Sequence, residues 1–316
     1  MTNEQTFTLD KPSTSERIAK RIARAGICSR REAEARINEG RVSVNGKTIH
    51  SPALNVTPGD KVIIDGKPLP AREPAQLWRY YKPRGLVVSA RDEKNRQTIF
   101  DTLPANLPRL ITVGRLDMDS EGLLLLTNDG ELARHLELPS TGWSRKYRVR
   151  VQGHVNEASL LPLADGVTID GVRYGSVIAR LDRQMSSNAW LTISIREGKN
   201  REVRRIMEHL GHNVGRLIRV SYGPFQLGDI EEGAVELVKA RVLADQLGMS
   251  GDVEEGPNAA KPRLRAKVNP HKRAKKYASK SDKKPRTSDG PSAKRGQNAD
   301  NRRPASRHKT GGTRRK

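Results

Sequence analysis

Apolar residues first recur at helical spacing from Glu16, with Ile18, Ile22 and Ala25 on one face and Arg17, Lys20, Arg21 and Arg24 largely on others. The pattern predicts a helix that starts at Glu16 and stops at Gly26. Ser29-Arg30-Arg31-Glu32 then reads as a capping box, opening a second helix that runs to about Glu39 with Gly40 as its C-terminal stop. The period changes to two at Val42 and Val44, and Asn45-Gly46 supplies a type I′ hairpin turn. "DKVIIDGK" adds a further short strand and turn. Residues 14–70 are therefore expected to form a helix–helix–hairpin unit, followed by a linker over 70–75.

From Leu77 the chain becomes mainly β. Strands are expected at "LWRYYKP", "GLVVS", "LITV", "GLLLLT", "KYRVRVQG", "AWLTISI", "GRLIRVSYG" and "AVELV", with helices near 129–137 and 201–210. Strands with a few inserted helices make residues 76–247 an α+β domain around a mixed or antiparallel sheet. Beyond about Gly251 the apolar periodicity is lost, so 252–316 is expected to be a disordered tail.

Charge sharpens this division. The 316 residues carry a formal net charge of +23, with only 4% aromatics. Residues 261–316 hold 21 Lys/Arg against 3 Asp, which leaves only +5 for residues 1–260. Such a balance points to a nucleic-acid partner. Lys20, Arg21, Arg24, Arg30, Arg31, Arg36 and Arg41 make the first unit a candidate RNA- or DNA-binding module, against the alternative of an ordinary solvated helix face. The single cysteine, Cys28, excludes an intramolecular disulfide and reads as a packed residue between the first two helices. No apolar run approaches a membrane span, and no export signal is visible at the N-terminus. The expectation is a cytoplasmic monomer with no membrane partner.

Candidate chemistry is sparse. His209 and His212 stand three apart at a helix end without a third ligand nearby, so no metal site is expected. "EGKNRE" lacks the glycine spacing of a P-loop, and no nucleophile elbow is present. Two stretches remain. In "GRLDMDSEGLLLLTNDG", residues 114–130, Asn128 or Asp129 can cap the next helix, while Asp119 and Glu121 read as solvated acids. Asp117 follows Leu116 at the edge of an apolar strand, where a carboxylate is costly unless a cation or hydrogen bonds compensate it. The second stretch, "EGKNREVRRIMEHL", puts Arg201, Arg204 and Arg205 on one helix face, as a phosphate-binding stripe or as the acid's partner.

Together with "YYKPRGLVVSARD" and "RKYRVRV", these motifs resemble, in their usual order, those of the ribosomal small-subunit synthase A/large-subunit synthase B group of pseudouridine synthases. The first unit is similar to the S4-like RNA-binding domain that precedes the catalytic domain in that group. The resemblance spans about residues 14–245. It implies that Asp117 is the catalytic aspartate, as nucleophile or base, that Tyr147 is the active-site tyrosine, and that Arg204 pairs with Asp117, with Lys199 and Arg201 as fallbacks. It also implies RNA contacts from Lys82, Arg115, Lys199 and Arg201, and no cofactor. The basic C-terminal extension brings the resemblance nearest to the large-subunit members of the group, and that resemblance implies large-subunit rRNA as substrate. A small-subunit rRNA synthase and a non-catalytic RNA-binding ribosome-assembly protein are the alternatives.

Overall fold

The computed structural model describes residues 15–247 and the backbone of 264–265. The expectations for residues 1–14 and for the basic tail lie outside the described residues.

The first unit packs helices Ile18–Arg24 and Arg30–Asn38 on a four-stranded antiparallel sheet with the order Lys47–Ile49, Val42–Val44, Val62–Ile64, Lys67–Pro68. Ile18, Ile22, Cys28, Ala33, Ile37 and Val42 form its core, so the cysteine is packed where expected. Both halves of the capping box are made: Glu32 N–H donates to Ser29 Oγ at 3.2 Å and Ser29 N–H donates to Glu32 Oε2 at 2.8 Å. Asn45 and Gly46 have φ of 51° and 83°, as a type I′ turn requires. One boundary differs from expectation. Glu16–Arg17 is a short strand paired with Asn55–Val56, and the helix starts only at Ile18. Pairing to a distant segment outweighs helix propensity there.

The second unit is built on one mixed sheet. Its order is Val177–Gln184, Asn188–Ile195, Arg145–Gln152, Val214–Tyr222, Glu121–Thr127, Leu77–Lys82, Ala234–Leu237, with Leu264–Arg265 outside the last. Only the contact between Val214–Tyr222 and Glu121–Thr127 is parallel. All seven residues of Glu121–Thr127 are buried. Leu124 and Leu126 enter the core shared with helix Glu202–His209, while Leu123 and Leu125 face helix Gly130–Glu137. A strand covered on both faces needs such a continuous apolar run. Arg145–Gln152 instead alternates, with Tyr147, Val149 and Val151 buried and Lys146, Arg148 and Arg150 exposed. "GLVVS" forms no strand: Val87 makes an isolated bridge to Thr98, while Leu86 and Val88 serve the core from a loop. The 3₁₀ segment Glu157–Asp165 and strands Val167–Ile169, Val172–Tyr174 and Val177–Gln184 add to the expected elements.

The two units meet through charge. Asp129 caps helix Gly130–Glu137, its Oδ1 accepting from Glu131 N–H at 2.8 Å and Leu132 N–H at 2.9 Å. Its other oxygen accepts from Arg72 Nη2 at 2.9 Å and lies 3.6 Å from Arg24 Nε. Arg24 also reaches Glu16 at 3.1 Å and Glu131 at 3.2 Å, and Lys20 pairs with Glu131. Lys20 and Arg24, expected to bind RNA, are thus committed to the joint between the units. Asp129 and Glu131 themselves stand at a helix N-terminus, where negative charge is favourable. Arg21 donates to the carbonyls of Thr57 and Pro58, and Arg36 and Arg41 pair with Asp65. Arg30 and Arg31 are exposed.

Asp129→Ala removes both the cap and the buried ion pairs and is expected to cost about 3–5 kcal/mol of stability. Asp129→Asn keeps the cap and is expected to retain part of that stability. Thermal unfolding checks the order, and faster proteolysis at 70–75 in both variants reports a loosened joint.

Candidate active site

Asp117 lies in the connection between strands Ile111–Val113 and Glu121–Thr127. A tight turn follows it, closed by Ser120 N–H donating to the Asp117 carbonyl at 3.0 Å. Leu116 is buried on one side, while the Asp117 carboxyl is half-buried and has no hydrogen bond or ion pair among the described residues. Outside the turn, Gly85 N–H donates to the Met118 carbonyl at 2.6 Å.

Lys82 fixes this turn from beneath. It is fully buried, and its ammonium donates to the carbonyls of Pro83 and Ser120, each at 2.9 Å, with Met118 at 3.5 Å. This corrects its expected contact with RNA. Position 82 ends a strand whose alternate residues face the core, so the chain carries its ammonium inside, where three carbonyls receive it. Burial pushes its pKa down to about 8, against the raising influence of Asp119, Asp117 and Glu121.

A folded-state value below the unfolded one means that the unfolded chain holds more protons between pH 8 and 10.5. Stability from this group therefore rises with pH across that window. The shift corresponds to about 3 kcal/mol. Relative to Lys82→Met, the unmodified protein is expected to gain about that much between pH 8 and 10.5. Denaturant titrations of both proteins across that range check the difference.

Arg204 is buried, but its partner is Asp119. Nη2 donates to the Asp119 carbonyl at 3.1 Å and lies 3.5 Å from its Oδ2, while Nη1 donates to the Val214 carbonyl at 3.1 Å. Arg201 Nη1 also reaches Asp119, at 3.5 Å. The expected pairing of Arg204 with Asp117 and the reading of Asp119 as merely solvated are both corrected. The turn sends the carboxyls of residues 117 and 119 to different sides, and only the second meets the helix. Burial lowers the Arg204 pKa, and Asp119 opposes this more strongly than Asp117 does. Glu121 is not solvated either: it is buried in a bidentate pair with Arg216, at 2.6 and 3.1 Å.

Tyr147 and Asp117 line one cleft of about 910 Å³. Arg115, Lys199 and Arg201, for which the motifs implied RNA contacts, are exposed around it. Arg204 stands behind the lining. Lys199 also pairs with Glu197 and sits 5.6 Å from the Tyr174 ring centre. Glu202, Arg145 and Arg219 also line the cleft without having stood out in the sequence. Glu202 is buried, with Oε2 accepting from Lys199 N–H at 2.8 Å and burial raising its pKa. Arg145 and Arg219 flank the Tyr222 ring at 4.8 and 5.1 Å. The available signal was Arg219 standing two places after Leu217, at an inward position of a strand. Among the described residues no group of three His, Cys, Asp or Glu side chains could hold a metal ion.

Comparison with known proteins follows the two units. The sequence family described as RNA pseudouridylate synthase matches residues 76–209, and the S4 domain matches residues 16–62. A Rickettsia felis protein described as "Uncharacterized RNA pseudouridine synthase" is 44% identical over 230 residues, covering 72% of this chain and 99% of that protein. The Escherichia coli O157:H7 "Ribosomal large subunit pseudouridine synthase B" is 40% identical over 272 residues, covering 83% of this chain and 94% of its own. A solved structure titled "Crystal structure of pseudouridylate synthase" superposes with a TM-score of 0.51 at 27% identity, over 73% of this chain and 99% of that one.

Proposed function

The chain belongs to the RNA pseudouridylate synthase family, and from that premise we propose that it isomerises a specific uridine of large-subunit ribosomal RNA with Asp117 as the catalytic aspartate, acting as nucleophile or base. The observation that carries the residue assignment is the Asp117 carboxyl, unpaired among the described residues and facing a basic cleft that Tyr147 also lines. A carboxylate already engaged by a cation, as Asp119 is, is less available for chemistry.

The reaction breaks the bond from uracil N1 to ribose and joins C5 to the same carbon. Substrate and product are isomers, so the balance calls for no co-reactant. Asp117 can begin it as a nucleophile at the sugar carbon or by removing a ribose proton. The target base must leave the RNA stack, at a cost of a few kcal/mol. Stacking on Tyr147 offsets this by about 1–3 kcal/mol. Arg115, Lys199 and Arg201 would hold the backbone phosphates through a salt-dependent contact.

Pseudouridine mapping across rRNA from cells with and without this protein tests the substrate. The expected result is loss of modification at one large-subunit position. Loss in small-subunit rRNA would move the substrate, and unchanged rRNA together with an inert purified protein would favour a non-catalytic assembly role.

Tyr147 gives a second check. Tyr147→Ala is expected to lose turnover by about 100-fold through lost stacking. If stacking is its main role, Tyr147→Phe keeps most of the rate. If the hydroxyl relays a proton, Phe falls with Ala. Near-normal rates for both would remove Tyr147 from the site.

A further inference from the structure

Three arginines in the described residues have strongly buried side chains of different character. Arg24 stands among Glu16, Asp129 and Glu131, and Arg204 has Asp119. Arg219, only 3% exposed, has no carboxylate within ion-pair distance among the described residues. Its Nε donates to the Leu123 carbonyl at 2.7 Å, and its guanidinium lies over the Tyr222 ring, but its buried Nη2 has no partner. A buried cation without a counter-charge is costly and persists where something else offsets it. Arg219 lines the cleft that holds Asp117, and it is the cross-strand neighbour of Tyr147.

We infer that Arg219 contacts a carbonyl oxygen of the flipped uracil and stabilises the negative charge that the base carries once it is detached. This rests on the pseudouridine synthase reading of the same cleft. When the N1–C1′ bond breaks, its electron pair stays with N1 and spreads onto O2 and O4. C1′ becomes bonded to an Asp117 oxygen, or Asp117 takes the C2′ proton and leaves a C1′–C2′ double bond. The base is an anion on either route. C5 then supplies the pair that bonds C1′, the C5 hydrogen leaves as a proton, N1 takes one up, and Asp117 is restored. Electrostatic stabilisation works best from a preorganised donor in a water-poor place, and Arg219 is a buried guanidinium belonging to the lining of this cleft. Phosphates are met at the rim, where Arg115, Lys199 and Arg201 are exposed.

The test uses the full chain and large-subunit rRNA transcripts made with uridine or with 5-fluorouridine, whose electron-withdrawing fluorine makes the detached base a more stable anion. Single-turnover loss of the nucleoside at the modified position is read by mass spectrometry of the nuclease fragment that holds it. Arg219→Met is expected to slow the uridine reaction by about 100-fold with RNA affinity nearly unchanged. The defect should shrink by about tenfold on the fluorinated RNA. Arg219→Lys, which keeps the charge, should recover part of the rate. If the Met variant does not fold, the Lys variant must show the same dependence on fluorine. Equal defects on both RNAs would make Arg219 merely structural and overturn the inference. So would weakened RNA binding with an intact rate, which marks a phosphate contact, and so would a near-normal rate. An unmodified protein inert on uridine-containing rRNA would sink the underlying reading and this inference with it.

Discussion

Asp117→Asn is expected to reduce isomerisation by at least about 10⁴-fold while RNA affinity changes little. Amide and carboxylate have nearly the same shape, and the Asp117 side chain makes no hydrogen bond or ion pair among the described residues that the amide would break. The turn that carries it is held by backbone carbonyls, through Lys82 and Gly85, and these remain. Only the ability to attack or to accept a proton is lost. Tritium release from RNA labelled at uracil C5 measures the rate, and filter binding measures affinity. Asp119→Asn makes the contrast. It weakens the contacts to Arg204 and Arg201 and should slow turnover by about 10–100-fold through a displaced turn. A dead Asp119 variant beside an active Asp117 variant would exchange the two roles.

The second large effect concerns folding. Gly122→Ala is expected to destabilise the protein by about 3–5 kcal/mol, since strain and overpacking add. A Cβ at this position would lie 2.4 Å from the Arg219 carbonyl oxygen and 2.8 Å from its amide nitrogen, with φ at +102°. Both neighbours are backbone, so no side chain can swing away. Here the parallel pairing brings Arg219 beside Gly122, immediately after the Asp117 turn. Thermal unfolding should fall by roughly 10 °C, taking about 2–4 °C per kcal/mol for a domain of this size. Residual activity per folded molecule should also drop, because the same pairing positions Arg219. An unchanged melting temperature would mean that the two strands separate at little cost.

Much of the architecture was legible in the chain. The capping box at Ser29, the Asn45-Gly46 turn and the helices near 130 and 202 depend on bonds between residues a few positions apart. The run Leu123–Leu126 could announce a strand buried on both faces because burial there requires no polar residue at all. Asp117 stood out for a similar reason, as an acid placed against that run. What the sequence left open were the partners. The motifs implied Asp117 as the partner of Arg204, but the turn sends the carboxyl of Asp119, two residues on, to the helix instead. Lys82, Lys20 and Arg24 looked like surface cations. The first meets carbonyls more than 30 residues downstream as well as that of Pro83, and the others meet acids of the second unit as well as Glu16. Arg219 and Glu202 gained their place in the cleft from strand order and helix packing. Periodicity, caps and turns are short-range and are written locally. A charge's partner is chosen over a few ångströms between segments far apart in sequence, and only the folded chain fixes those distances.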